Sequence, residues 1–190
     1  MIVKKRWKDI TRISEKLWSE LQPLKGFWKD AYLASAILHT NVVVPCVVFV
    51  EKDTNDQQRL LPVYGFIRWK YNFDEETMID ATSVMQANPS PYVPSPEILR
   101  MLEEHGHFDD PIEHAKLRLK DGREYWFRKG WPGFFIGVPD GYTSSDIVGV
   151  AEWATQPFFK IDKEIADRAV GPPPYRLCIF RRPKVSRRSL

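Results

Sequence analysis

Residues 123–160 read REYWFRKGWPGFFIGVPDGYTSSDIVGVAEWATQPFFK, and the fold reading turns on this stretch. It holds ten of the chain's 25 aromatic residues in 38 of 190 positions: Tyr125, Trp126, Phe127, Trp131, Phe134, Phe135, Tyr142, Trp153, Phe158 and Phe159. Aromatic and β-branched residues at that density, punctuated by Gly and Pro, predict sheet. Strands are expected over 123–129, 134–138 and 147–160, with turns over 130–133 and 139–146.

Upstream, HAKLRL over 114–119 meets Asp121-Gly122, a turn pair that predicts a hairpin with the strand from 123. Before it, Ser95 is placed to cap a helix with Pro96 in its first turn and Gly106 past its end. NPSPYVPSP over 88–96 should be an extended connector. Residues 74–86 allow a short helix capped by Asp74. VVVPCVVFVE (42–51) and RLLPVYGFIRWKY (59–71) flank a polar loop and predict another hairpin, with Pro45 and Pro62 restricting these strands to edges or bulges. The N-terminal pattern Trp7, Ile10, Ile13, Leu17, Trp18, Leu21 has helical spacing over 4–21, and an Ala-rich second helix is expected over 28–39. Downstream, 162–170 reads as a short helix and YRLCIFRR (175–182) as the last strand.

The sum is an α+β fold. It is expected to be a strongly curved, mainly antiparallel sheet or small open barrel of about seven strands with N-terminal and peripheral helices. A single domain over 1–183 is expected, its helices over 4–39 packed on the sheet, with a basic tail over 184–190.

No apolar run reaches the ~20 residues of a membrane-spanning helix. No apolar segment follows the early lysines, so a secretory signal is not expected and the location expected is cytoplasmic. Cys46 and Cys178 lie in apolar strand-like runs and read as buried thiols, and no Cys-x-x-Cys exists. The net charge of +3 hides a segregation. Residues 1–16 carry six basic and two acidic residues, and 176–190 carry six basic and none acidic. The body between them holds 16 basic and 23 acidic residues, so basic character sits at the two ends. Such ends suit phosphates or an acidic protein surface.

Signatures of catalysis are sparse. There is no P-loop and no dinucleotide fingerprint, and Ser144 and Ser145 lack a nucleophile elbow, so no cofactor and no catalytic residue is expected. Glu51 and Asp53 end a strand but lack the Glu-x-Lys spacing of carboxylate-and-lysine nucleases. The densest cluster is His105-Gly-His107-Phe-Asp109-Asp110, with Glu113 and His114 close behind. Its residue types could ligate a metal. His-x-His-x-Asp resembles the opening of the metallo-β-lactamase motif. The histidine that would follow is Asp110 here, and the only histidine outside the cluster is His39, so a lactamase-type enzyme is excluded. A metal-dependent hydrolase using His105, His107, Asp109 and Asp110 stays as an alternative.

Aromatic and basic residues interleave at Arg123, Tyr125, Phe127, Arg128, Lys129 and Trp131, and again at Arg176, Arg181 and Arg182. Rings stack on unpaired bases while Arg and Lys hold phosphates. Trp131 and Tyr142, in turns, are the aromatics a loop could expose. Gly133-Phe-Phe-Ile-Gly followed by Ile147-Val-Gly-Val-Ala-Glu152 resembles the middle of the PUA-like EVE and ASCH domains. That resemblance implies a small barrel binding RNA or a modified base.

The expected function is therefore a non-enzymatic binding module, with nucleic acid (RNA or DNA) as ligand. Its candidate contacts are Arg128, Lys129, Trp131, Tyr142, Arg181, Arg182, Arg187 and Arg188. The alternative from another class is a structural or adaptor subunit docking on an acidic protein partner.

Overall fold

Ser14 opens the first helix. Its hydroxyl accepts a hydrogen bond from the Leu17 amide at 3.1 Å, which fixes the start of α1 (Glu15–Leu21). The computed structural model describes residues 10–24, 31–51, 78–105, 114–128, 135–153 and 167–184. The helix expected from residue 4 thus begins at 15. Residues 11–13 are extended instead, because they hydrogen-bond with residue 181. Leu17 and Leu21 face inward, a 3₁₀ turn over Gln22–Leu24 follows, and Pro23 prevents the α-helical ladder from continuing.

The second expected helix is a strand. Ala31–Leu38 (β1) pairs antiparallel with Val43–Glu51 (β2). Alanine favours helix locally, but propensity is a weak prior. Here Ala31 through Ala36 are all buried, the mark of a strand covered on both faces. A tight loop joins the pair, with Asn41 in the left-handed region (φ 62°). Pro45 is accommodated as expected. Ala34 pairs Val47 but Ala36 pairs Val44, so β2 carries an extra residue at Pro45–Cys46 opposite Ser35.

The helix expected within 74–86 is likewise absent from its described part. Met78–Ile79 form β3, and Asp80 caps a 3₁₀ turn over Ala81–Ser83. Val84–Asn88 then form β4. Arg176–Phe180 form the predicted last strand, numbered β8 in chain order. The first sheet runs β3-β8-β2-β1-β4. It is mixed rather than mainly antiparallel, since β8 lies parallel to both β2 and β3. Under α1, the core holds Ile13, Leu17, Leu21, Tyr32, Ala34, Phe49, Cys178 and Phe180. Burying each large side chain contributes roughly 1.5–3 kcal/mol. Cys46 and Cys178 are buried thiols outside any disulfide, as expected, and burial pushes the Cys178 thiol up. Glu20, one turn after Lys16, accepts a hydrogen bond from the Ala87 amide at 3.0 Å, tying α1 to edge strand β4.

The chain divides into two compact units, residues 1–89 with 175–190 and residues 90–174. In the second, Ser95 caps the helix Pro96–His105 (α2) as predicted, accepting from the Ile98 amide at 3.3 Å. His114–Leu119 (β5) pairs antiparallel with Glu124–Arg128 (β6) and with Ile147–Trp153 (β7), giving the order β6-β5-β7. The Asp121-Gly122 turn is present, with Gly122 at φ 86° and its amide donating to Leu119 at 2.9 Å. Ile98, Leu102, Leu117, Leu119, Phe127, Ile136 and Ile147 make this unit's core.

The strand expected over 134–138 is not in a ladder where it is described. The Ile136 amide donates to Tyr92 at 2.8 Å, and Gly137 lies directly against Val170 and Gly171. The proline connector is tied down as well. Ser144 donates from its amide to Pro91 (2.7 Å) and from its hydroxyl to Val93 (2.6 Å), so this serine anchors a loop. The hairpin partner over 59–71, most of the helix over 162–170 and the tail from 185 lie outside the described residues. The described residues form α+β units with one five-stranded and one three-stranded sheet, and no closed barrel is seen among them.

Candidate nucleic-acid interface

Parallel pairing of β2 with β8 brings their C-terminal ends level, with Glu51 beside Phe180. Past that point the chain recruits its other end. The Arg181 amide donates to Thr11 at 3.0 Å and the Ile13 amide donates to Arg181 at 3.1 Å, making a parallel bridge between Arg12 and Arg181. The Arg12 Nη1 donates to the Arg182 carbonyl at 2.9 Å. Residues 11–13 and 181–182, from the two basic ends of the sequence, are therefore neighbours in one unit.

Strand alternation sorts the side chains there. Glu51 shares its parity with Phe49, and Arg182 shares its parity with Cys178 and Phe180, all three of them core residues under α1. Accordingly the Arg182 Nε pairs with Glu51 Oε1, and its guanidinium lies over the Trp18 ring, 4.9 Å from the centroid. Trp18 is itself held edge-on to Tyr32 (5.7 Å) and tilted against Phe180 (6.0 Å). The Glu51 side chain is only 9% exposed while that of Arg182 is 58% exposed, so a buried carboxylate anchors a surface guanidinium. Two buried polar atoms here have no hydrogen-bond partner, Glu51 Oε2 and Arg181 Nε. Each such atom costs about 1–3 kcal/mol in a folded protein. By the same alternation Arg181, and Arg12 bridged to it, fall on the other face from Arg182, so the three arginines share one edge of the sheet but not one face.

Of the candidate residues read from sequence, Arg181 and Arg182 meet here. Arg128 lies in the other unit, at the end of β6 and in register with His114. Tyr142 belongs to that unit too and serves the hairpin. Its hydroxyl donates to Asp121 Oδ2 at 2.7 Å, and the Arg123 guanidinium covers its ring at 4.6 Å. Hydrogen bonds from the Arg123 side chain and backbone hold the Asp121 carboxyl below its ordinary range. Lys129, Trp131, Arg187 and Arg188 lie outside the described residues. So do His107, Asp109 and Asp110, while His105 ends α2. Among the described residues no group of three or more His, Cys, Asp or Glu is placed to hold a metal. None of their helices is long and apolar enough to cross a membrane.

The polar face of the three-stranded sheet is not a one-sign surface. Lys116 reaches Glu124 and Glu152, each at 3.6 Å, and Arg118 meets Glu124 at 3.0 Å. On this sheet the Lys116 ammonium lies 5.8 Å from the Trp126 ring, a pairing outside the interleaved set read from the sequence.

Sequence reasoning missed Arg12, Trp18 and Glu51 as parts of one site. The signal available was parity. An acid that ends an apolar strand two residues after Phe49 points inward, and needs a cation of the same parity nearby. No family model, no curated protein and no solved structure matches the chain.

Proposed function

We propose that this chain is a non-enzymatic binding module for nucleic acid, with phosphates held where its two basic ends run side by side. The observation that carries the reading is the bridge between Arg12 and Arg181, with Arg12 also on the Arg182 carbonyl. It brings two basic segments, each unremarkable alone, to one edge of the sheet, which supports a path for a phosphate chain there. Lys184, Arg187 and Arg188 extend the same charge along the sequence. The interleaved residues Arg128, Lys129, Trp131 and Tyr142 are a second, separate set of contacts in this proposal. A PUA-like second unit, its sheet curving towards an open barrel, and a cytoplasmic location go with it, and favour RNA over DNA.

Fluorescence anisotropy with labelled single- and double-stranded RNA and DNA across a salt series tests the proposal. The logarithm of affinity should fall linearly with the logarithm of salt concentration. Each phosphate contact adds about 0.7 to the slope for single strands and about 0.9 for duplex. Arg12→Ala should make the slope shallower by roughly one contact. Absence of binding to every oligomer at low salt overturns the reading, and an acidic protein surface then becomes the partner to seek.

A further inference from the structure

Arg182 covers two groups, the ring of half-buried Trp18 and the carboxylate of Glu51. The indole also packs against the rings of Tyr32 and Phe180. One Glu51 oxygen is taken by Arg182 and the other has no partner. We propose that Arg182 is a movable cover, and that the ligand taken at this site is single-stranded nucleic acid. In this proposal a base replaces the guanidinium on Trp18 and Glu51 as the guanidinium turns to a phosphate. The proposal rests on the nucleic-acid reading above and deepens it.

The argument is one of pairing. Drawing Arg182 away from a nine-tenths-buried carboxylate leaves an uncompensated charge, which is strongly unfavourable. Inorganic phosphate or polyphosphate can compete for the arginine but offers Glu51 nothing in return. A ligand carrying a phosphate, a flat ring and N–H donors gives each of these groups a hydrogen-bonding or stacking partner. The phosphate takes the guanidinium, the ring takes the indole face, and the donors take the two Glu51 oxygens. Nucleotides combine all three parts. Among the bases, guanine presents adjacent imino and amino donors that match both carboxylate oxygens. Uracil presents one donor flanked by carbonyl oxygens, which a carboxylate repels. In a duplex these donors are already paired, so an unpaired strand is required. Arg12 has a fixed part in this exchange. By donating to the Arg182 carbonyl it holds the backbone while the side chain moves.

The test is anisotropy at low salt on the full chain with three labelled single strands of equal phosphate count. One is oligouridylate, one is the same strand with a single central guanosine, and one is an abasic strand. The guanosine strand should bind about tenfold or more tightly than the abasic strand, the range one stacked and hydrogen-bonded base supplies. Glu51→Gln should reduce the preference for guanosine over uridine to about twofold or less. Trp18→Leu should bring all three strands to the abasic level. Equal affinity of the wild-type chain for all three strands overturns the base exchange and leaves the phosphate-binding function standing. That comparison decides even where a variant fails to fold. Absence of binding to any of them removes both.

Discussion

Gly137→Ala is the substitution for which the geometry gives the sharpest expectation. A Cβ built on Gly137 would lie within 2.6 Å of the Gly171 carbonyl oxygen and closer still to that of Val170. Even weak C–H···O contacts keep about 3.3 Å or more, so the backbone would have to give by most of an ångström. It has little freedom to do so. The Val170 amide donates to Trp126 at 2.9 Å, and the Tyr125 hydroxyl donates to the Gly137 carbonyl at 3.0 Å. Burial already pushes that phenol up, so it is poorly placed to lose its partner. Overpacking of this kind costs about 1–3 kcal/mol, and a strained buried hydrogen bond adds about 1 kcal/mol. The stiffer unfolded chain returns only about 0.4–1 kcal/mol. The net loss is then about 2–3 kcal/mol, or roughly 5–10 °C in Tm for a chain of this length. Thermal and urea unfolding followed by near-ultraviolet circular dichroism would read it. Gly149→Ala in β7 is the control, because its Cβ would meet nothing within 4 Å. It should be neutral or stabilise by up to about 1 kcal/mol. Equal melting of Gly137→Ala and wild type, or equal damage from both variants, would refute the close-approach argument.

Two further outcomes follow from the described contacts. Glu20→Gln swaps a charged acceptor of the Ala87 amide for a neutral one and should cost about 1 kcal/mol, with faster hydrogen exchange at Ala87 as the local readout. Unchanged exchange there would mean that Glu20 does not seal the β4 edge. The Asp146 carboxyl is held below its ordinary value of 3.8, first by the Thr143 backbone amide and then by the Thr143 hydroxyl and Lys120. A depressed folded pKa stabilises the fold fully above the unfolded value and less as pH falls through the folded one. Asp146→Asn should therefore flatten the loss of stability below about pH 4, measured as Tm against pH. An unaltered pH profile would contradict that assignment.

What the sequence revealed and what it hid divide along local and non-local signals. Ser95, Asp121-Gly122 and Pro45 acted through their own backbone neighbours, and the cap, the turn and the bulge all lie where those residues placed them. The Ala-rich segment was misread because its burial on both faces comes from other parts of the sheet, which no local period reports. The N-terminal helix was overextended for a similar reason. Trp7, Ile10 and Ile13 keep helical spacing, yet residues 11–13 are claimed by a strand partner near residue 181. The basic ends were legible as charge, but their meeting was not, since it depends on a bridge across almost the whole chain. Tyr142 was singled out as an exposable ring, and the Asp121 carboxylate and Arg123 guanidinium engage it instead.

The position of β8 bears on how such a chain is made. Among the described strands, the one between β2 and β3 leaves the ribosome after all the others, and after the whole of residues 90–174. Until it arrives, the edges of β2 and β3 that it covers lack their partner, and Glu51 lacks Arg182. Closing that gap requires contacts of very high sequence separation, which slows folding. The second unit can complete its own β6-β5-β7 pairing while the first still waits. Vectorial synthesis thus completes the described strands of the second unit before those of the first. A stop codon anywhere before residue 176 would remove not a tail but the strand that joins β3 to β2 in the five-stranded sheet.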